Sequence, residues 1–168
     1  ESFPRPDVLA RICKFFEVDA RVLLEPVDQI SRGEGPIVST FLNGFMGEAV
    51  QHVAEQDFPN GFYQFSRRSF VRSAEYVRGL VHVQRHGKNT YLRGYEPKTA
   101  LAMQGIPPAP STREFRGYVL RMDDGMVLMV SRRNGLTASM HYLTRITSFQ
   151  NNFWVGYVTR TVSENASS

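Results

Sequence analysis

The segment that decides the fold is Phe115-Arg116-Gly117-Tyr118-Val119-Leu120-Arg121-Met122-Asp123-Asp124-Gly125-Met126-Val127-Leu128-Met129-Val130. Two apolar stretches of strand length flank Asp124-Gly125. Asp-Gly between such stretches is a strong hairpin signal, because both central residues of a type I′ turn need positive φ. The same pattern repeats outward in both directions. His86-Gly87-Lys88-Asn89 divides strand candidates 76–85 and 90–95, Asn60-Gly61 precedes 62–70, and Asn134-Gly135 precedes 137–147. With 114–122, 126–132 and a last candidate at 153–162, six or seven antiparallel strands are expected between residues 58 and 163, followed by a tail over 164–168. A chain of hairpins rich in aromatic and β-branched residues closes into a small barrel or a two-sheet sandwich, which removes exposed strand edges. The interruption at 97–111, with Pro107, Pro108 and Pro110, reads as a loop across one end.

Upstream of residue 58 the period changes. Leu9, Ile12, Cys13 and Phe16 lie at i, i+3, i+4 and i+7, one face of a helix over 4–18, with Pro6 acceptable in its first turn. Asp19 is placed to cap a second short helix carrying Val22, Leu23 and Leu24, which Pro26 ends. Ser31-Arg32-Gly33-Glu34-Gly35-Pro36 has linker composition, and a third helical stretch over 37–55 is interrupted by Gly44 and Gly47. The expected fold is therefore α+β and mostly β. Short N-terminal helices occupy 1–30, a linker and helix 31–57, and an antiparallel β-barrel or sandwich of six to seven strands 58–163.

The run Pro6-Asp7-Val8-Leu9-Ala10-Arg11-Ile12-Cys13-Lys14-Phe15-Phe16-Glu17-Val18-Asp19-Ala20-Arg21-Val22-Leu23-Leu24 resembles the last two helices of XRE-family helix-turn-helix regulators, the Cro and phage-repressor group. That family's pattern is a proline, a helix of the form Leu-x-x-Ile-Ala-x-x-Phe/Leu-x-Val, and a short helix ending in Leu-Leu; Cys13 stands where the family prefers Ala. The resemblance implies the C-terminal portion of a bacterial transcription regulator. Its recognition helix would lie upstream of Glu1, so DNA would be reached through a head whose base-contacting residues are not in this chain. The opening on Glu rather than Met, inside a helical pattern, fits a piece of something longer. Such repressors pair with two-fold operators, so a homodimer is expected, in the cytoplasm, with the β domain sensing an effector, mediating dimerisation, or both.

Composition narrows the alternatives. At 42% hydrophobic, 12% aromatic and 21% charged residues the chain is globular rather than disordered. No apolar run approaches the roughly 18 residues of a membrane span, so no membrane partner is expected. The single cysteine, Cys13, excludes an internal disulfide and reads as core packing. His82 and His86 are four apart, a zinc spacing only on a helix, whereas this stretch reads as strand and turn. Neither a metal nor a cofactor is expected. No phosphate loop, nucleophile elbow, Cys–His pair or clustered carboxylate pair points to an enzyme.

Charge is divided unevenly. Residues 1–57 carry five Lys/Arg against ten Asp/Glu, a net of −5; residues 58–163 carry fifteen against five, a net of +10; Glu164 brings the sum to +4. Most of the basic residues are Arg, whose planar fork suits carboxylate and phosphate. Strand alternation places Val77, Val81, Val83, Phe115 and Val119 inside and Arg78, His82, Arg116 and Tyr118 on the opposite face. The candidate ligand residues are Tyr63, Phe65, Arg78, His82, Arg116, Tyr118, His141 and Trp154. Aromatics interleaved with Arg suit a small anionic or aromatic effector. They equally suit a groove for single-stranded nucleic acid, in which case the barrel would bind nucleic acid directly.

Overall fold

The turn signals join strands that are neighbours in one sheet. The structure, a computed structural model, describes residues 5–17, 52–133, 135, 137–147 and 152–161. Seven strands follow one another, β1 (Gly61–Arg68), β2 (Tyr76–His86), β3 (Asn89–Tyr95), β4 (Glu114–Met122), β5 (Gly125–Arg132), β6 (Ala138–Thr147) and β7 (Asn152–Arg160). Each pairs antiparallel with the next in sequence order. The first and last strands come back together. Tyr63 on β1 and Trp154 on β7 meet edge to face with centroids 5.5 Å apart, and at the far end Arg160 of β7 lies 5.5 Å from the ring of Phe70, just beyond β1. The sheet is thus a nearly closed barrel rather than two stacked layers. Among the described residues no helix is long and apolar enough to cross a membrane.

One turn and one loop differ from the sequence expectation. In the β4–β5 hairpin Met122 pairs with Gly125, so the turn is Asp123-Asp124, and neither residue has positive φ. The type I′ reading of Asp124-Gly125 is therefore wrong. Gly125 lies within the strand, where an added Cβ would run into the Leu143 carbonyl oxygen, so close approach is what demands glycine there. Between β2 and β3 the turn is Gly87-Lys88, with positive φ only at Gly87, the pattern of a type II′ hairpin. The 97–111 segment is not all loop either: it contains α2 (Lys98–Ala102) and the start of α3 (Pro110–Arg113).

Upstream, α1 (Pro6–Phe16) has Pro at its start, Asp7 in its first turn and Lys14 in its last, the polarity that suits the helix dipole. Leu9, Ile12 and Cys13 pack on Leu80, Tyr95 and Phe62 of the outer barrel wall. The expected second helix near Asp19–Pro26, the 31–36 linker, the side chain of Phe16 and the 164–168 tail lie outside the described residues. So does the stretch expected to be helical up to residue 51, while residues 52–55 are not helical.

The lumen holds the main core: Val83, Leu92, Val119, Met126 and Leu128, with Tyr63, Val81, Val130, Leu143 and Trp154 against them. Midway, the Phe65 ring lies over Gly79 and the Phe115 ring over Gly94, the two rings edge to face at 5.7 Å. Any side chain at either glycine would collide with its ring. This aromatic plug separates two different ends.

At one end, residues 52–60 cap the barrel. Phe58 packs on Tyr63 and Trp154, and Arg85 donates to Asn60 Oδ1 at 2.7 Å and to the carbonyls of Val53 and Ala54 at 3.2 Å. Tyr63 and Trp154 donate to the carbonyls of Pro59 and Asp57. That end is filled, with Arg85 Nε and Thr90 Oγ1 as its buried polar atoms without a hydrogen bond among the described residues.

Candidate functional site

Beyond the plug, the inward-facing positions at the strand ends turn from apolar to charged. Arg67 follows Phe65 on β1, Arg132 follows Val130 on β5, and Arg160 ends β7, opposite Ser139 of β6. Glu96 enters where the chain leaves β3, and Gln104 from the turn after α2. Glu96 accepts hydrogen bonds on both carboxylate oxygens, from Arg67 Nη2 at 2.5 Å and from Arg132 Nη2 at 2.6 Å. The Gln104 amide oxygen accepts from Arg132 at 3.1 Å and from Arg160 at 3.0 Å. Arg67 and Arg160 also flank the Phe70 ring, 4.3 and 5.5 Å from its centroid.

The charges do not balance. Three guanidinium groups face one carboxylate, a sum of +2, and Arg160 has no carboxylate partner among the described residues. Water screens the two ion pairs little: the side chains of Arg67, Arg132 and Glu96 are 10%, 18% and 11% exposed. Burial lowers the pKa of Arg160, Arg132 and Arg67 lower it further, and Glu96 opposes them. His141, inward on β6, is held neutral at about 4 by burial and then by Arg67, and its Nε2 shares a 3.0 Å hydrogen bond with Ser139 Oγ. Among the described residues, the end of the lumen is a nest of fork-shaped donors with too few acceptors.

On the outer wall stands a second cluster. Glu114 accepts from Arg93 Nε at 2.7 Å, Arg116 Nε at 2.6 Å and Arg133 Nη2 at 3.2 Å. Burial raises the Glu114 pKa, but the bonds and charges of Arg116, Arg93 and Arg133 more than offset it and leave it lowered. Here the Glu114 side chain is 5% exposed, whereas Arg116 and Arg133 are 44% and 58% exposed.

Arg113 connects the lumen to the helix outside. Almost fully buried, it donates from Nε to the Glu96 carbonyl at 2.8 Å and from Nη1 to the Glu17 carbonyl at 3.0 Å. Glu17 closes α1 in the left-handed region, φ 52 and ψ 47, and its carboxylate pairs with Lys98. A non-glycine residue there carries strain that the surroundings must hold, and these two basic residues grip it from both sides.

The eight residues singled out from sequence are not brought together. Tyr63, Phe65, His141 and Trp154 face the lumen, but Tyr63 and Trp154 belong to the apolar end and Phe65 to the plug; only His141 lies at the charged end. Arg78 is exposed, with Ser66 opposite it. His82 is buried on the outer wall, stacked on Phe62 with centroids 4.2 Å apart and bonded to Gln84 at Nδ1. Arg116 belongs to the Glu114 cluster, and Tyr118 lies across from Tyr91 on β3. The candidate residues drawn from the sequence did not include Arg67, Glu96, Gln104, Arg132 and Arg160, although Arg67 lies in the stretch of interleaved aromatics and arginines at 62–68. A signal existed for the arginines: each lies two residues beyond an inward apolar residue, Phe65, Val130 or Val158, in phase with the core rather than with the solvent face.

Among the described residues no three His, Cys, Asp or Glu side chains gather where they would hold a metal. Compared with known proteins, no family model, no curated protein and no solved structure matches the chain.

Proposed function

We propose that this chain is the regulatory part of a DNA-binding transcription regulator, in which the barrel senses a small effector and passes its state to a helix-turn-helix head through α1. The observation that carries the reading is the path through Arg113. The helix that resembles the end of a helix-turn-helix domain docks on the barrel wall, and the carbonyl of Glu17, which caps it, is bonded to the residue that also holds Glu96. A shift of Glu96 in the lumen therefore changes the grip on Glu17. That is the differential contact a two-state regulator needs. The test is a gel shift of the protein as its gene encodes it against duplex DNA from its own promoter region. Sequence-specific retention supports the reading; absence of retention overturns it.

Self-association is the other half of the reading, and the outer face of β6 and β7 favours it. Met140, Ile146, Phe153, Val155 and Tyr157 are exposed there, with Tyr142 and Thr144 in the same rows and no ionised side chain among them. An uncharged apolar face pairs with its own copy without charge repulsion, as a two-fold dimer requires. Sedimentation is expected to give a dimer that Tyr157→Glu converts to monomer; a wild-type monomer at high concentration removes this half.

A direct nucleic-acid role draws on the outer wall, where Tyr91 and Tyr118, then Arg93 and Arg116, lie opposite each other on β3 and β4. Its signature is single-strand binding that falls steeply with salt.

A further inference from the structure

We infer that the charged end of the lumen binds the oxyanion group of a small molecule, a carboxylate or phosphate, between Arg67, Arg132 and Arg160. The inference names the effector class for the regulatory reading and rests on that reading only for its biological use.

The argument is one of unmet donors and unmet charge. Among the described residues, each guanidinium presents more N–H donors than are used, and the acceptors facing the three are the Glu96 carboxylate, the Gln104 amide oxygen and the Arg68 carbonyl. Arg132 and Arg160 share one neutral oxygen; Arg132 also pairs with Glu96, whereas Arg160 bonds to the amide and to no carboxylate among the described residues. In a poorly hydrated place like-charge crowding is costly, and an acceptor-only ligand relieves it. The remaining neighbours agree with such a ligand. His141 is neutral and adds no competing charge, Glu96 is the only carboxylate described in the cluster, and the exposed edge of Phe70 offers an apolar wall. Phe65 and Phe115 stop the lumen below the cluster, so the anion enters from the strand ends and is small. When it binds, it competes with Glu96 for Arg67 and Arg132, and the Glu96 backbone is what Arg113 holds.

The test is calorimetry and thermal melting of the whole chain with two probes, inorganic phosphate and succinate, at ionic strength held constant with chloride. Saturable one-to-one binding of either probe is expected; which arm responds identifies phosphate or carboxylate as the preferred group. Arg160→Met is expected to weaken binding about tenfold, the loss of one charge-assisted contact. Arg116→Met, in the outer cluster, is expected to leave it unchanged. Glu96→Gln is expected to tighten it severalfold, because the competing internal carboxylate is gone, and misfolding cannot produce that gain. Two results overturn the inference: no saturable binding of either probe by folded protein, or equal losses in Arg160→Met and Arg116→Met. Binding without any change in amide exchange of α1 keeps the anion site and removes the regulatory link. Failure to bind, with promoter retention intact, does the reverse.

Discussion

Glu96 and Glu114 are each surrounded by arginines, on opposite faces of the same barrel wall, and the two arrangements are not equivalent. Outside, Arg93, Arg116 and Arg133 all bond to one carboxylate, and two of them are well exposed, so water takes up the surplus charge. Inside, Glu96 pairs with Arg67 and Arg132, all three with little access to water, while Arg160 leans on an amide. The same count of charges is a solvated ion-pair network in one setting and an unmet demand for an anion in the other. Location in the fold, not residue type, makes the difference.

The comparison can be broken first at Arg113, which touches the lumen side through Glu96 and the helix through Glu17. Arg113→Met leaves both carbonyls without their donor. It is expected to cost about 4 kcal/mol, within the range for breaking buried charged contacts, and to raise amide exchange across α1 above that in the barrel. Exchange rates in α1 that match wild type would remove the proposed path.

The next largest effect belongs to the lumen alone. His141 titrates near 4 in the folded chain against about 6.5 unfolded, so the unfolded state takes up the proton first as the solution is acidified. Its contribution is complete above pH 6.5 and is lost as pH falls toward 4, on the order of 3 kcal/mol at the limit. Thermal melts across that window are expected to fall in wild type and to be flatter in His141→Gln. An equal slope in both would mean that the ring is better hydrated than its burial implies.

Glu96→Gln and Glu114→Gln sharpen the contrast directly. Each is expected to destabilise by about 2 kcal/mol through loss of charge-assisted bonds. Added phosphate at constant ionic strength is expected to restore the lumen variant and not the outer one. Equal responses would make the two clusters the same kind of object. Smallest of all, Arg133→Ala in the exposed outer position should change stability by less than about 0.5 kcal/mol, measured by denaturant midpoint.

Much of the architecture was legible because strands and turns are local. The period of two in Tyr76–His86 and Glu114–Met122 shows which residues share a face, and Gly87 marks a turn that needs positive φ. Gly125 was misread because a glycine demanded by a neighbouring strand looks, in one dimension, like a glycine demanded by a turn. The site was harder. Alternation separated Val77 from Arg78 and Phe115 from Arg116, and charge then drew attention to the outward members of each pair. The arginines that converge are the ones in phase with the core, at strand ends, where a charged residue reads as the point at which a strand meets solvent.

By itself, the sequence determined a mostly β chain of successive hairpins, an amphipathic N-terminal helix and a basic second part, because these depend on periodicity, turn chemistry and composition. Only the tertiary structure decided that β1 and β7 come together, that α1 lies on the outer wall, and that Arg67, Glu96, Gln104, Arg132 and Arg160 meet in one poorly hydrated place. Those residues come from five separate parts of the chain. What joins them is the closure of the barrel, which no local pattern encodes.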